Sequence, residues 1–111
     1  MSTAAPFEVT PDALEVVASL LRQHPEMQAG LFLMPSFEVF DEQGTFEARF
    51  ERESFWMAHD SPEYFSQWTR VELCGHTVPV APDALERLRG KTLTLEAHDI
   101  MFEGQKFLVA A

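Results

Sequence analysis

The chain has 111 residues, 46% of them hydrophobic, enough to build the core of one ordinary domain and too few for two. Eighteen acidic residues against eight basic ones give a formal net charge of −10, and the basic residues are scattered singly. Such a surface repels phosphate backbones and anionic lipid, which argues against nucleic-acid and membrane partners; it keeps a hydrophobic domain in solution or steers it toward a basic protein.

The apolar runs, such as Gly30 to Met34, are far shorter than the roughly 20 residues needed to cross a bilayer, and no basic and apolar leader opens the chain. A lone cysteine cannot staple the fold and fits a reducing compartment. The expectation is a single cytoplasmic domain over residues 1–111.

In chain order, Val9-Thr10-Pro11-Asp12 reads as a helix start. Thr10 suits the N-cap, Pro11 the first helical position, and Asp12 the positive end of the helix dipole. Leu14, Val17, Leu20 and Leu21 follow at helical spacing, and His24-Pro25 ends the pattern, which predicts a helix over 11–23. Beyond Gly30 the period changes to two or to short apolar runs. Strands are expected at 31–34, 36–41 and 45–51, with a hairpin turn at Asp41-Glu42-Gln43-Gly44.

Further strands are expected at 69–73, 76–80, 92–97 and 107–110, with a turn at Glu103-Gly104-Gln105. A short second helix is predicted over 83–89, where Leu85 and Leu88 lie one turn apart and Gly90 supplies the stop. The fold class is therefore α+β, mostly β. Val9 to Glu15 and Val80 to Glu86 differ at one position in seven; the similarity ends on both sides, so shared helix-start chemistry explains it better than duplication.

The run Val78-Pro79-Val80-Ala81-Pro82-Asp83-Ala84-Leu85-Glu86-Arg87-Leu88-Arg89-Gly90-Lys91-Thr92-Leu93 resembles the signature of the HesB-like, A-type iron-sulfur carrier family. The family's order of elements is similar to what Thr10 to Leu21, Gly30-Leu31-Phe32, the turn at Gly44, Val78 with Val80, Leu85 to Gly90, and Phe107 offer here. The match is best over residues 75–95. The resemblance implies cluster-binding cysteines in a loop after the strand that follows the first helix, and in a Cys-Gly-Cys tail. This sequence has Pro35-Ser36-Phe37 near the first place and reads Ala110-Ala111 ahead of the second, while Cys74 falls in neither. The resemblance thus implies the fold more than the activity, and no cofactor is expected.

Cys74-Gly75-His76 offers one thiol and one imidazole, with His24, His59 and His98 as further donors, whereas zinc needs three or four ligands. The pair reads as a buried thiol beside a surface histidine, with Gly75 marking a turn; Cys74 and His76 remain weak metal candidates. No partner base supports a cysteine nucleophile. Carboxylate pairs such as Glu51 with Glu53 or Asp60 with Glu63 are expected by chance among eighteen acids, and the glycines are isolated, each assigned to a turn or helix end.

The segment Phe55 to Trp68 holds both tryptophans and the tyrosine. Ser61-Pro62-Glu63 is expected to start a helical turn that places Tyr64 and Trp68 on one face. Trp56, Tyr64, Phe65 and Trp68 are accordingly the candidate partner or ligand surface, because such rings serve as binding anchors as well as core. The expected role is a non-catalytic accessory or binding protein, by a protein partner or self-association. The alternatives are an iron or iron-sulfur carrier using Cys74 and His76 across subunits, and a small enzyme of unknown reaction.

Overall fold

The computed structural model describes residues 3–97 and 106–111, and over these the chain is α+β and mostly β. His98 and the expected turn at Glu103-Gly104-Gln105 lie outside the described residues. Two short strands, β1 (Thr3–Ala4) and β2 (Glu8–Val9), precede helix α1 (Pro11–Arg22). Then come β3 (Gln28–Met34), β4 (Phe37–Phe40), β5 (Phe46–Phe50), β6 (Ser54–Asp60), a 3-10 turn at Pro62–Phe65, β7 (Thr69–Leu73) and β8 (His76–Val80). Helix α2 (Pro82–Leu88), β9 (Thr92–Ala97) and β10 (Lys106–Ala110) complete the order. No helix among the described residues is long and apolar enough to cross a membrane.

Helix α1 begins where its capping chemistry predicts. Thr10 has extended backbone and its hydroxyl oxygen accepts the Ala13 N–H at 3.4 Å, while Asp12 Oδ1 accepts the same N–H at 2.9 Å. The Thr10 hydroxyl donates to Asp12, and this bond is the chief reason the Asp12 carboxyl is held below its ordinary range. Thr10→Ala is expected to cost about 1 kcal/mol in urea unfolding. Asp12, followed by NMR, is expected to titrate at higher pH in that variant. Since its folded value is depressed, Asp12 contributes stability above the unfolded carboxylate range and loses it as pH falls through the folded value; the variant is expected to show less of that acid sensitivity.

At α2 the related heptad places Ala81 where Thr10 stands. Ala81 is buried and donates its N–H to the Leu31 carbonyl at 2.9 Å, so core contact rather than a side-chain cap fixes this helix start. The helix runs Pro82–Leu88, one residue earlier than the predicted 83–89, and Gly90 beyond it takes φ +75°, the left-handed stop expected of it.

Eight strands form one sheet in the order β1-β7-β8-β3-β6-β10-β9-β2. The outermost two, β1 and β2, are consecutive in sequence: β1 runs parallel to β7 and β2 parallel to β9. Only Ala5, Pro6 and Phe7 join them, so the sheet curls until its two margins lie within about 14 Å of chain. Backbone bonds from Gly90 to Pro6 and from Glu8 to Lys91, both 3.0 Å, fasten the junction, with Phe7 buried beneath.

Strand parity sorts the side chains. Leu31, Phe55, Val71, Val78, Val80, Leu93 and Leu108 turn inward, where Ala13 and Val17 of α1 and Ala84 and Leu88 of α2 complete one core. His59 shares the parity of Phe55, and its Nε2 lies 2.6 Å from the Leu20 carbonyl, which also accepts the Gln23 N–H at 3.3 Å where α1 ends. The opposite face carries Gly30, Phe32, Trp56 and Phe107. There the β4–β5 hairpin, paired Phe37↔Phe50 and Glu38↔Arg49, lays Phe37 and Phe50 against Trp56 and Phe107. Its turn is as predicted: Asp41 Oδ1 accepts the Gln43 and Thr45 N–H groups, and Gly44 takes φ +83°.

Candidate functional site

The outer face of β3 and β6 is built on a glycine. Gly30 stands in mid-strand opposite Ala58, neither a turn nor a helix end, which corrects the sequence expectation for it. A Cβ at this position would lie 2.6 Å from Phe65 Cε1 and 2.7 Å from Trp68 Cζ3. The missing side chain is therefore what lets two rings lie flush on the strand. Phe65 is fully buried there, while Trp68 packs at its edge with ring centroids 4.9 Å apart.

The turn that carries these rings differs from the expected helix. Pro62–Phe65 is a single 3-10 turn, and the Ser61 side chain does not cap it; instead Asp60 Oδ1 accepts the Ser61 N–H at 2.7 Å. Trp68 follows outside the turn, its N–H bonded to the Phe65 carbonyl at 3.0 Å. Tyr64 and Trp68 nevertheless meet, with centroids 5.8 Å apart, because the chain bends back toward β7 rather than because a helix spaces them. Tyr64 is 56% exposed and stands on Phe65 edge-on at 5.0 Å.

A cleft of about 290 Å³ opens beside these rings, lined by Phe32, Leu33, Ala58, Tyr64, Trp68, Ala81 and Asp83. Phe32, Leu33, Ala58, Ala81 and Asp83 are not among the residues the sequence points to. Phe32 carried a signal, since in a strand it shares a face with Gly30. No family model matches this chain, and neither the curated proteins nor the solved structures yield a match.

Of the four expected surface residues the structure brings three together and sets one apart. Trp56 lies in β6, which runs over Ser54–Asp60 where no strand was expected, and its ring packs on Phe37 at 5.2 Å. Its indole N–H donates to the buried Ser54 hydroxyl at 2.9 Å, which satisfies that polar group. Phe65 is the anchor beneath the surface and Tyr64 and Trp68 form the surface itself.

A second cleft, about 460 Å³, is lined by Val16 and Leu20 of α1 and by Phe55, Trp56, Met57, Leu95, Lys106, Phe107 and Leu108 of the sheet.

Cys74 and Gly75 form the two-residue turn of the β7–β8 hairpin, between paired Leu73 and His76. Both take positive φ, 47° and 87°, as a type I′ turn requires. Cys74 is exposed, not the buried thiol expected, because the turn points it away from the sheet; His76 is partly buried. Among the described residues no group of three or more His, Cys, Asp or Glu side chains is placed to hold a metal ion. His24 and His59 pack on each other at 4.8 Å at the end of α1. Asparagine tolerates the left-handed backbone better than cysteine, so Cys74→Asn is expected to raise stability by about 1 kcal/mol in urea unfolding.

Proposed function

We propose that this protein is a non-catalytic binding protein whose partner docks on the outer face at Tyr64 and Trp68. The observation that carries the reading is a rigid aromatic pair beside an open cleft. Tyr64 is more than half exposed, yet it stands on a fully buried phenylalanine, and the Trp68 ring is set against Gly30. Rings held in place before contact lose little freedom on binding, which is why tyrosine and tryptophan dominate binding hot spots.

The scaffold we propose is HesB-like without the family's cysteine ligands. It is supported by the order of elements, with a Thr-capped α1, β3 through Gly30-Leu31-Phe32, a hairpin at Gly44, the valine strand β8, α2 closing at Gly90, and a strand through Phe107. Near the first cysteine place of that family the chain has Pro35-Ser36-Phe37, where β3 gives way to β4. A cytoplasmic setting goes with this reading.

Tyr64→Ala is expected to leave the urea midpoint nearly unchanged and to abolish capture of the partner from lysate, or self-association measured by sedimentation. Unchanged capture and association would refute the reading. The iron-carrier alternative draws on Cys74, and the same Cys74→Asn protein separates the two. Purified without oxygen, it is expected to match the wild type in iron and sulfide content; an iron-sulfide signal lost on substitution would establish the carrier.

A further inference from the structure

Three aromatic side chains, Phe32, Tyr64 and Trp68, share the 290 Å³ cleft with one carboxylate, Asp83. Aromatic faces are negative and attract a cation held within about 6 Å of the ring centre. Asp83 adds a full charge to that field. Its Oδ1 accepts the Ala84 N–H at 2.8 Å, and among the described residues no lysine, arginine or histidine forms an ion pair with it. One carboxylate oxygen thus faces water, and the whole chain, at −10, draws cations toward it.

We propose that this cleft seats an arginine side chain presented by a basic segment of a protein partner, its guanidinium lying on the Trp68 ring and donating to Asp83. The proposal rests on the binding reading of the Tyr64–Trp68 face and names the chemistry that face selects. Arginine fits better than lysine because a planar, weakly hydrated guanidinium stacks on a ring while its edge donates in a fork to a carboxylate. An anion is disfavoured, since Asp83 already answers the positive end of the seven-residue α2. A purely apolar side chain would leave Asp83 beside it partly desolvated and unpaired.

The two indole N–H groups make the test local. That of Trp56 is tied to Ser54, and Trp56 does not line the cleft, whereas Trp68 does. Isotope-labelled protein is titrated with the acetylated tripeptide amide Gly-Arg-Gly, with its citrulline isostere, and with tetramethylammonium chloride, and the NMR spectrum is followed. The arginine peptide is expected to shift the Trp68 indole and Tyr64 amide signals and to leave the Trp56 indole in place. Citrulline, which lacks the charge, is expected to bind about tenfold more weakly, and Asp83→Asn to weaken the arginine peptide about tenfold as well. Asparagine keeps an oxygen for the Ala84 N–H, so the fold is retained and the spectrum verifies it. Glu47→Gln on β5 removes the same charge elsewhere and is expected to change affinity less than about twofold.

No shift with the arginine peptide, equal binding of citrulline, or equal effects of Asp83→Asn and Glu47→Gln would overturn the proposal. Tetramethylammonium binding as tightly as the arginine peptide would overturn it too, making a methylammonium compound the ligand. If Tyr64→Ala abolishes partner capture while Asp83→Asn preserves it, the docking face stands and the arginine falls; if Tyr64→Ala leaves capture intact, the docking face itself falls.

Discussion

Replacing Phe65 by alanine is expected to cost the fold about 3–5 kcal/mol, the usual range for a ring removed from a filled core. Phe65 is fully buried, touches Tyr64 and Trp68 edge-on, and covers the bare backbone of Gly30, so its removal opens a cavity against the strand. Against a total stability of about 5–15 kcal/mol for a domain, the variant stays folded but unfolds at much lower urea. A loss under about 1 kcal/mol would mean that the segment from Pro62 to Trp68 is not anchored as described.

Gly30→Ala attacks the same contact from below. The added methyl would sit under 3.0 Å from both rings, and overpacking of this kind costs about 1–3 kcal/mol. Phe65 has no room to retreat, so the half-buried Trp68 is the ring expected to tilt outward, read as a red shift of tryptophan emission. The two substitutions are expected to be strongly non-additive. Once the Phe65 ring is gone, the methyl of Ala at position 30 has space on that side, and the double variant loses less than the sum of the single ones. The remaining approach to Trp68, 2.7 Å, keeps the relief partial. Additive losses would show that the close approach is not what selects glycine in the strand.

What was legible in the sequence was local. Thr10-Pro11-Asp12 announces α1 through groups within three residues of one another, Asp41 and Gly44 close their own hairpin, and Gly90 ends the helix it follows. Strand β6 was not legible, because Phe55, Trp56, Met57 and Ala58 are apolar at both parities. On its inner side the strand faces α1 and on its outer side Trp56 packs on the β4–β5 hairpin, so apolar residues serve both faces and the alternation that marks a half-exposed strand is absent. Grouping Trp56 with Tyr64 and Trp68 followed from the same omission, since a strand and a turn separate what sequence proximity joins. The use of Gly30 was hidden for another reason: the atoms that forbid a Cβ there belong to residues 65 and 68, and nothing in the neighbourhood of residue 30 records them. Asp83 entered the cleft only once α2 was set against β3.

The junction of β1 and β2 carries a consequence for how the molecule is made. Thr3 pairs with Val71 and Glu8 with Thr92, so the two margins wait for partners that leave the ribosome long after they do. Closing such distant loops is slow, and chains caught before it present two rows of unsatisfied N–H and C=O groups to their neighbours. Yield is therefore a matter of timing: rapid, concentrated synthesis favours strand-to-strand joining between unfinished chains, whereas slow synthesis or dilution gives residues 3–9 time to shield both rows in part, Thr3–Ala4 against Val71 and Glu72 and Glu8–Val9 against Thr92 and Leu93.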